Sequence, residues 1–241
     1  MPYNMALMWH PWWRRVIEWG FSLLYNELAW SYDAVSWLAS LGQWRAWQQA
    51  GLAFLPPPTT GGRVLELAHG PGHLLLALYA AGYKPVGVDL SPFMGRQAQR
   101  RLRRARLDVP LIRAAAQALP FTASAFDGAL ATFPAAFMLQ PETAVQLWRL
   151  LRPGGRLVIV PQAQFSGRGP LVRLLEWLYA ITGQRMGVAE ETPTADPWDS
   201  LVRAGFRLRQ ETVSLLRSRV LVVIAEKMPY NYEHDDDRSE T

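Results

Sequence analysis

The 241-residue chain has no cysteine. That excludes disulfides, thiolate nucleophiles and cysteine-based zinc ribbons, and it agrees with a cytoplasmic setting. Histidine is nearly as scarce: His10, His69, His73 and His234 are too scattered along the chain to read as a metal site, so no metal is expected. Lysine occurs only as Lys84 and Lys227, so the net charge of +5 rests almost wholly on arginine. No apolar run is long enough to cross ~30 Å of hydrocarbon, because Pro11, Arg14, Arg15 and Glu18 interrupt the N-terminal region. A basic start followed by a clean apolar run and a small-residue cleavage site is also missing, which argues against a signal peptide. No internal repeat is seen.

What is present is a half-apolar chain, sufficient for one compact α/β domain with an accessory segment. Arg63 to Leu67, Pro85 to Asp89, Leu111 to Ala114, Gly128 to Thr132 and Arg156 to Val160 read as buried parallel strands separated by helical stretches. Arg207 to Leu216 and Val220 to Ala225 are joined only by Arg217-Ser218-Arg219, so they should pair antiparallel. Pro56-Pro57-Pro58 marks a boundary, since consecutive prolines restrict the backbone and remove its donors. The expected organisation is an N-terminal helical segment over 1–56, the α/β domain over 57–228 and a disordered acidic tail over 229–241.

The strongest local signal is Val64-Leu65-Glu66-Leu67-Ala68-His69-Gly70-Pro71-Gly72-His73. An apolar strand ends in an acid and runs into a glycine turn, the arrangement that presents a helix N-terminus to a nucleotide-like ligand. Leu75 stands where a dinucleotide site would favour a third glycine, so no pyrophosphate need be cradled, and Glu66 is placed to reach a cationic group instead. A second strand ends at Asp89, about 20 residues on, where an acid accepts hydrogen bonds from both hydroxyls of an unphosphorylated ribose.

These residues, with Gln117-Ala118-Leu119-Pro120-Phe121, Phe126 to Thr132, Leu151 to Val160 and an upstream Tyr32-Asp33, Ser40, Gly42, Arg45, Trp47 pattern, carry a family resemblance over roughly residues 30 to 227. The chain resembles class I S-adenosylmethionine-dependent methyltransferases, and within them the C-methyltransferases of ubiquinone and menaquinone biosynthesis. The resemblance implies a Rossmann-like, doubly wound, mostly parallel seven-stranded sheet with a reversed last strand, and S-adenosyl-L-methionine as cofactor. It implies that Glu66, Ala68, Gly70, Pro71 and Gly72 line the methionine end, Asp89 and Leu90 the ribose side, Ala115, Ala116 and Gln117 the adenine edge, and Thr132 the floor. Three departures stand out. Ala115 replaces a usual Asp or Asn and offers the adenine amino group no side-chain acceptor; Pro71 replaces a hydroxyl residue; and Phe133-Pro134-Ala135-Ala136-Phe137 differs from the quinone enzymes where substrate would sit.

Methyl transfer of this kind needs alignment at ~3–3.5 Å and a water-poor pocket more than it needs polar catalysts. No catalytic residue is assigned from sequence; if an acceptor proton must be removed, His69, His73 and Tyr32 are the groups to test. Eight of the eleven tryptophans precede residue 50, with Arg14-Arg15 among them. Two readings of residues 1–50 stay open: a helical lid over the site, and a peripheral membrane contact. Leu171 to Ala180 reads either as a wall for an apolar substrate or as a core-facing helix. Arg96, Arg100, Arg101, Arg103, Arg104 and Arg106 read as a solvated helix exterior, with nucleic acid disfavoured as a partner. The expected acceptor is a small lipophilic molecule, quinone-like or lipid-like. The alternatives are a fold that binds cofactor without turnover and an RNA methyltransferase.

Overall fold

A computed structural model of the chain describes residues 32–58, 62–134, 136–166 and 197–229. Most of the tryptophan-rich start, the Leu171 to Ala180 stretch and the tail beyond 229 therefore lie outside the described residues. Two short helices come first, α1 (Tyr32–Ala39) and α2 (Trp44–Gln49), followed by a 3-10 turn at Leu52–Phe54. The sheet and its crossovers follow as β1 (Arg63–Leu67), α3 (His73–Ala80), β2 (Lys84–Asp89), α4 (Pro92–Arg104), β3 (Leu111–Arg113), β4 (Phe126–Thr132), α5 (Pro141–Leu150), β5 (Leu151–Phe165), α6 (Asp199–Arg203), β6 (Phe206–Leu215) and β7 (Ser218–Lys227).

The seven strands lie in the order β3-β2-β1-β4-β5-β7-β6. All the pairings from β3 to β5 are parallel, and β7 runs antiparallel to both β5 and β6. The expected Rossmann-like sheet with its reversed last strand is what the chain adopts. β1 and β4 turn opposite faces to two apolar layers, which explains their unbroken hydrophobic runs. Leu65, Leu67, Ala129, Ala131, Leu157 and Ile159 join one layer, with Leu147 and Leu150 of α5 and Leu201 of α6. Val64, Leu130, Val158 and Val160 join the other, with Leu74 and Leu78 of α3 and Trp47 of α2.

Two strands differ from expectation. β3 is a three-residue edge strand of partly exposed residues rather than a buried one, because only β2 pairs with it. β5 extends well beyond Arg156 to Val160: its start pairs Leu151 with Phe126 before a register shift at the Pro153-Gly154-Gly155 run, and its end pairs Phe165 with Ser218 of β7. The long β5–β7 ladder brings the start of β7 to α2, where Trp47 Nε1 donates to Ser218 Oγ at 2.8 Å and Ser218 Oγ donates to Gln43 Oε1 at 2.9 Å. Trp47 is 2% exposed and Ser218 fully buried, so this bond anchors α2 on the sheet.

Candidate active site

Parallel strands point their carboxyl ends to one edge, and at the middle of a doubly wound sheet the loops leaving that edge diverge to leave a crevice. Here β1, β2 and β4 supply those ends. After β1 the chain passes through Ala68 and Gly70, both with left-handed backbone at φ 52° and 53°, and reaches Gly72 at φ 81°, which begins α3. A Cβ on Gly72 would lie 2.9 Å from Ala98 Cβ and 3.1 Å from Ala98 Cα, so this glycine is what lets α4 pack against the turn. Gly70 is different: a Cβ there meets nothing within 4 Å, and the turn faces open space.

Asp89 binds the two turns together. Its Oδ2 accepts from the Gly70 N–H at 2.9 Å and its Oδ1 from the Ser91 N–H at 2.8 Å. Ser91 then caps α4 by accepting from the Met94 N–H at 3.3 Å, with Pro92 at the first helical position. Each Asp89 oxygen keeps a second acceptor lone pair. Leu90 beside it is 64% exposed.

Glu66 is 2% exposed, its Oε2 has no hydrogen-bond partner, and it sits in register with Gly87 of β2 and Leu130 of β4. Burial first, and the nearby Asp89 carboxylate second, push its carboxyl well above the usual range. A buried, unpartnered carboxyl is costly to the fold unless a ligand completes it. An orphaned acid beside an open glycine turn, with ribose-type acceptors on the next strand, fits a cofactor that carries both an ammonium group and a ribose.

The remaining residues surround this crevice. Ala115, Ala116 and Gln117 follow β3; Ala116 packs against the core, and Gln117 donates to Gln140 Oε1 at 2.5 Å. Thr132 closes β4 and accepts from Gln48 Nε2 of α2 at 3.3 Å. The next residue, Phe133, has φ 48°, unusual for a bulky side chain, and stacks on Trp44 with centroids 4.5 Å apart. Pro71 is buried, and its carbonyl accepts from Arg101 Nη1.

The histidines separate cleanly. His69 is 3% exposed, its Cδ2 packs where a Cβ of Gly87 would be, and Nδ1 lies 2.7 Å from the Gly70 carbonyl. Burial pulls its ring below the usual histidine range against the opposing pull of Asp89, so it is a packing residue beneath the turn. His73 instead lies at the surface of a cleft of about 370 Å³ lined by Asp33, Ser36, Trp37, Gly42, Trp44 and Arg45. Its Nε2 is 2.9 Å from Asp33 Oδ1, and Asp33 Oδ2 is 2.5 Å from Arg101 Nη2. The His73 hydrogen bond, ahead of the Arg101 charge, holds the Asp33 carboxyl below its ordinary range in spite of partial burial. Of Tyr32, only its place at the start of α1 is described.

Arg101 corrects the expectation of a wholly solvated arginine helix: Arg96, Arg100, Arg103 and Arg104 are exposed, whereas Arg101 turns inward to Pro71 and Asp33. The signal was its spacing, since residue 101 follows the buried Met94 and Ala98 at helical intervals. Asp127, on β4, is engaged with the Arg63 N–H at 2.7 Å and Arg152 at 2.5 Å, away from the crevice. Among the described residues there is no cluster of metal-binding side chains, and no helix is long and apolar enough to cross a membrane.

Fold and site together define an S-adenosylmethionine-dependent methyltransferase. Residues 64–155 match the family described as a methyltransferase domain. A demethylmenaquinone methyltransferase of Thermus thermophilus is 37% identical over 211 residues, covering 79% of this chain and 94% of that protein. A ubiquinone/menaquinone biosynthesis C-methyltransferase of Syntrophotalea carbinolica is 35% identical over 159 residues, and the chain spans only 65% of that protein's length. The fold is shared with geranyl diphosphate C-methyltransferase of Streptomyces coelicolor, at TM-score 0.56 and 14% identity over 76% of this chain and 79% of that one. It is shared also with phosphoethanolamine N-methyltransferase 2 of Haemonchus contortus, at TM-score 0.57 and 17% identity over 78% and 53%. The chain belongs to the ubiquinone/menaquinone biosynthesis C-methyltransferase family.

Proposed function

We propose that the chain transfers a methyl group from S-adenosylmethionine to a ring carbon of a small lipophilic acceptor of the quinol class. The observation that carries the cofactor half is Glu66, a buried acid with an unpartnered oxygen next to the Gly70 turn. In this reading Glu66 takes the cofactor's ammonium, Asp89 the ribose hydroxyls and the Ala115–Gln117 loop the adenine, while Ala68, Pro71 and Gly72 shape the turn and Thr132 with Leu90 borders the ligand. The acceptor half rests on the relatives named as ubiquinone/menaquinone biosynthesis C-methyltransferase and demethylmenaquinone methyltransferase, and on the aromatic wall of Trp37 and Trp44 at the cleft, with Phe133 stacked on Trp44.

The bound cofactor supplies an electrophilic methyl on a sulfonium. The protein's part is to hold a flat apolar ring in line with that methyl and to exclude water. Trp44 stacked on Phe133 gives such a ring a rigid surface, and the Trp47–Ser218 bond fixes the helix that carries it. We further infer that residues 1–50 touch the membrane in which a lipophilic acceptor dissolves, because α1 leaves Val35, Trp37 and Leu38 exposed beside the cleft. Calorimetry with S-adenosylhomocysteine, followed by product analysis of methyl transfer to a short-chain demethylmenaquinol in liposomes, tests the proposal. Saturable binding with a C-methylated product supports it; binding without any methylated quinol refutes the acceptor assignment.

A further inference from the structure

The cleft contains a pairing that alignment and water exclusion do not use. We propose that His73, oriented by Asp33, is the general base that takes the phenolic proton of the acceptor, an inference that rests on the quinol reading above. His73 is the first residue of α3, directly after the turn that faces the cofactor, and it shares the cleft with the aromatic wall. Its Nε2 is committed to Asp33 Oδ1 at 2.9 Å. Asp33 also pairs with Arg101, so its carboxylate is an acceptor only, and Nε2 must carry the hydrogen. That tautomer leaves the lone pair on Nδ1, which has no partner among the described residues. The logic is that of a histidine set in one tautomer by a neighbouring carboxylate.

The charged groups around the ring come from three elements: Asp33 on α1, Arg45 on α2 and Arg101 on α4. Arg101 is occupied by Asp33 and the Pro71 carbonyl, whereas Arg45 lines the cleft and favours the anion that deprotonation creates. In the step itself His73 Nδ1 takes the O–H proton, and the electron pair left on oxygen raises the nucleophilicity of the ortho carbon. That carbon forms the new C–C bond as the S–CH3 bond breaks and the sulfur keeps its electron pair. The ring carbon then loses its own hydrogen to restore aromaticity and His73 returns its proton to the oxygen, so one proton is released to solvent for each methyl transferred.

The test is the pH profile of kcat/KM for a short-chain demethylmenaquinol with the wild type, His73→Ala, His73→Gln, Asp33→Asn and Arg101→Ala, with S-adenosylhomocysteine affinity measured in parallel. Loss of the base is expected to lower kcat about 10²- to 10⁴-fold, to abolish the acidic limb of the profile and to leave cofactor affinity within about threefold. Added imidazole should restore part of the rate to His73→Ala, which a purely structural residue would not allow. Asp33→Asn should lower kcat and shift the limb, whereas Arg101→Ala should retain the limb. An active wild type whose acidic limb persists in His73→Ala and His73→Gln overturns the base assignment alone. A wild type that binds S-adenosylhomocysteine but never methylates the quinol overturns the acceptor reading and the assignment together.

Discussion

If Glu66 takes the cofactor's ammonium as proposed, cofactor binding is a proton-releasing event. The Glu66 carboxyl is 2% exposed, has an unpartnered Oε2 and is pushed well up by burial and by Asp89, so the free protein holds it protonated at pH values where an exposed glutamate is ionised. A cationic ammonium at this place reverses the preference, and the carboxyl ionises as the ligand enters. Below the folded-state pKa, affinity should therefore rise tenfold for each pH unit. Each such step is about 1.4 kcal/mol, and the rise levels off once pH passes the folded-state pKa. Calorimetry of S-adenosylhomocysteine in two buffers of different ionisation enthalpy counts the protons directly: close to one leaves the wild type and that proton is missing in Glu66→Gln, which also binds more weakly. The same shift acts on the unbound fold with the opposite consequence. Because the folded pKa lies above the unfolded one, Glu66 does no harm at acid pH and increasingly disfavours folding as pH climbs past about 4.3. Glu66→Gln should then stabilise the free protein at neutral pH by about 1–3 kcal/mol, read as roughly 2–4 °C in Tm for each kcal/mol. A pH-independent affinity with no proton released, or a Glu66→Gln protein no more stable than the wild type at neutral pH, would refute the reasoning.

The two turn glycines should separate space from packing. Gly72→Ala forces a methyl against Ala98 and should cost at least about 2 kcal/mol in urea unfolding, whereas Gly70→Ala should cost only about 1 kcal/mol of backbone strain yet weaken S-adenosylhomocysteine binding by calorimetry. Asp89→Ala leaves the Gly70 and Ser91 N–H groups without their acceptor and should lower stability by about 3 kcal/mol while abolishing cofactor binding; intact binding would displace Asp89 from the site. Trp47→Phe removes the donor to buried Ser218 and should cost about 1–2 kcal/mol in urea, with the acceptor's KM rising as α2 loosens.

What the sequence disclosed and what it concealed divide by distance along the chain. The strand ends and glycine turn that place Glu66 and Asp89 were legible because a strand, a turn and a helix N-terminus are local features. Four of the five parallel strands, β1, β2, β4 and β5, were legible because burial on both faces demands apolar runs. β3 was misjudged as buried because its edge position depends on which strands pair, something no segment of the chain encodes by itself. The Asp33–His73–Arg101 cluster stayed hidden for a similar reason: its members lie 40 and 68 residues from Asp33, and Arg101 is one arginine in a run of them. His69 stood beside His73 and Tyr32 as a group to test for proton removal, and the close approach of Gly87 shows that its ring packs in the core instead.

The Trp47–Ser218 bond joins residues 171 apart, which gives the enzyme a timetable. A ribosome adding about 5–20 residues each second needs roughly 9–34 s to travel from one partner to the other. The turn, Asp89 and the strands around them can assemble early in that interval, and α2 can pack on α3 and β5, but its hydrogen-bonded anchor is missing until β7 emerges. The nascent chain therefore carries a tryptophan-bearing helix without its buried hydrogen-bonded anchor until β7 is made. That interval is when a chaperone, or a membrane surface, would find the apolar side of this protein within reach.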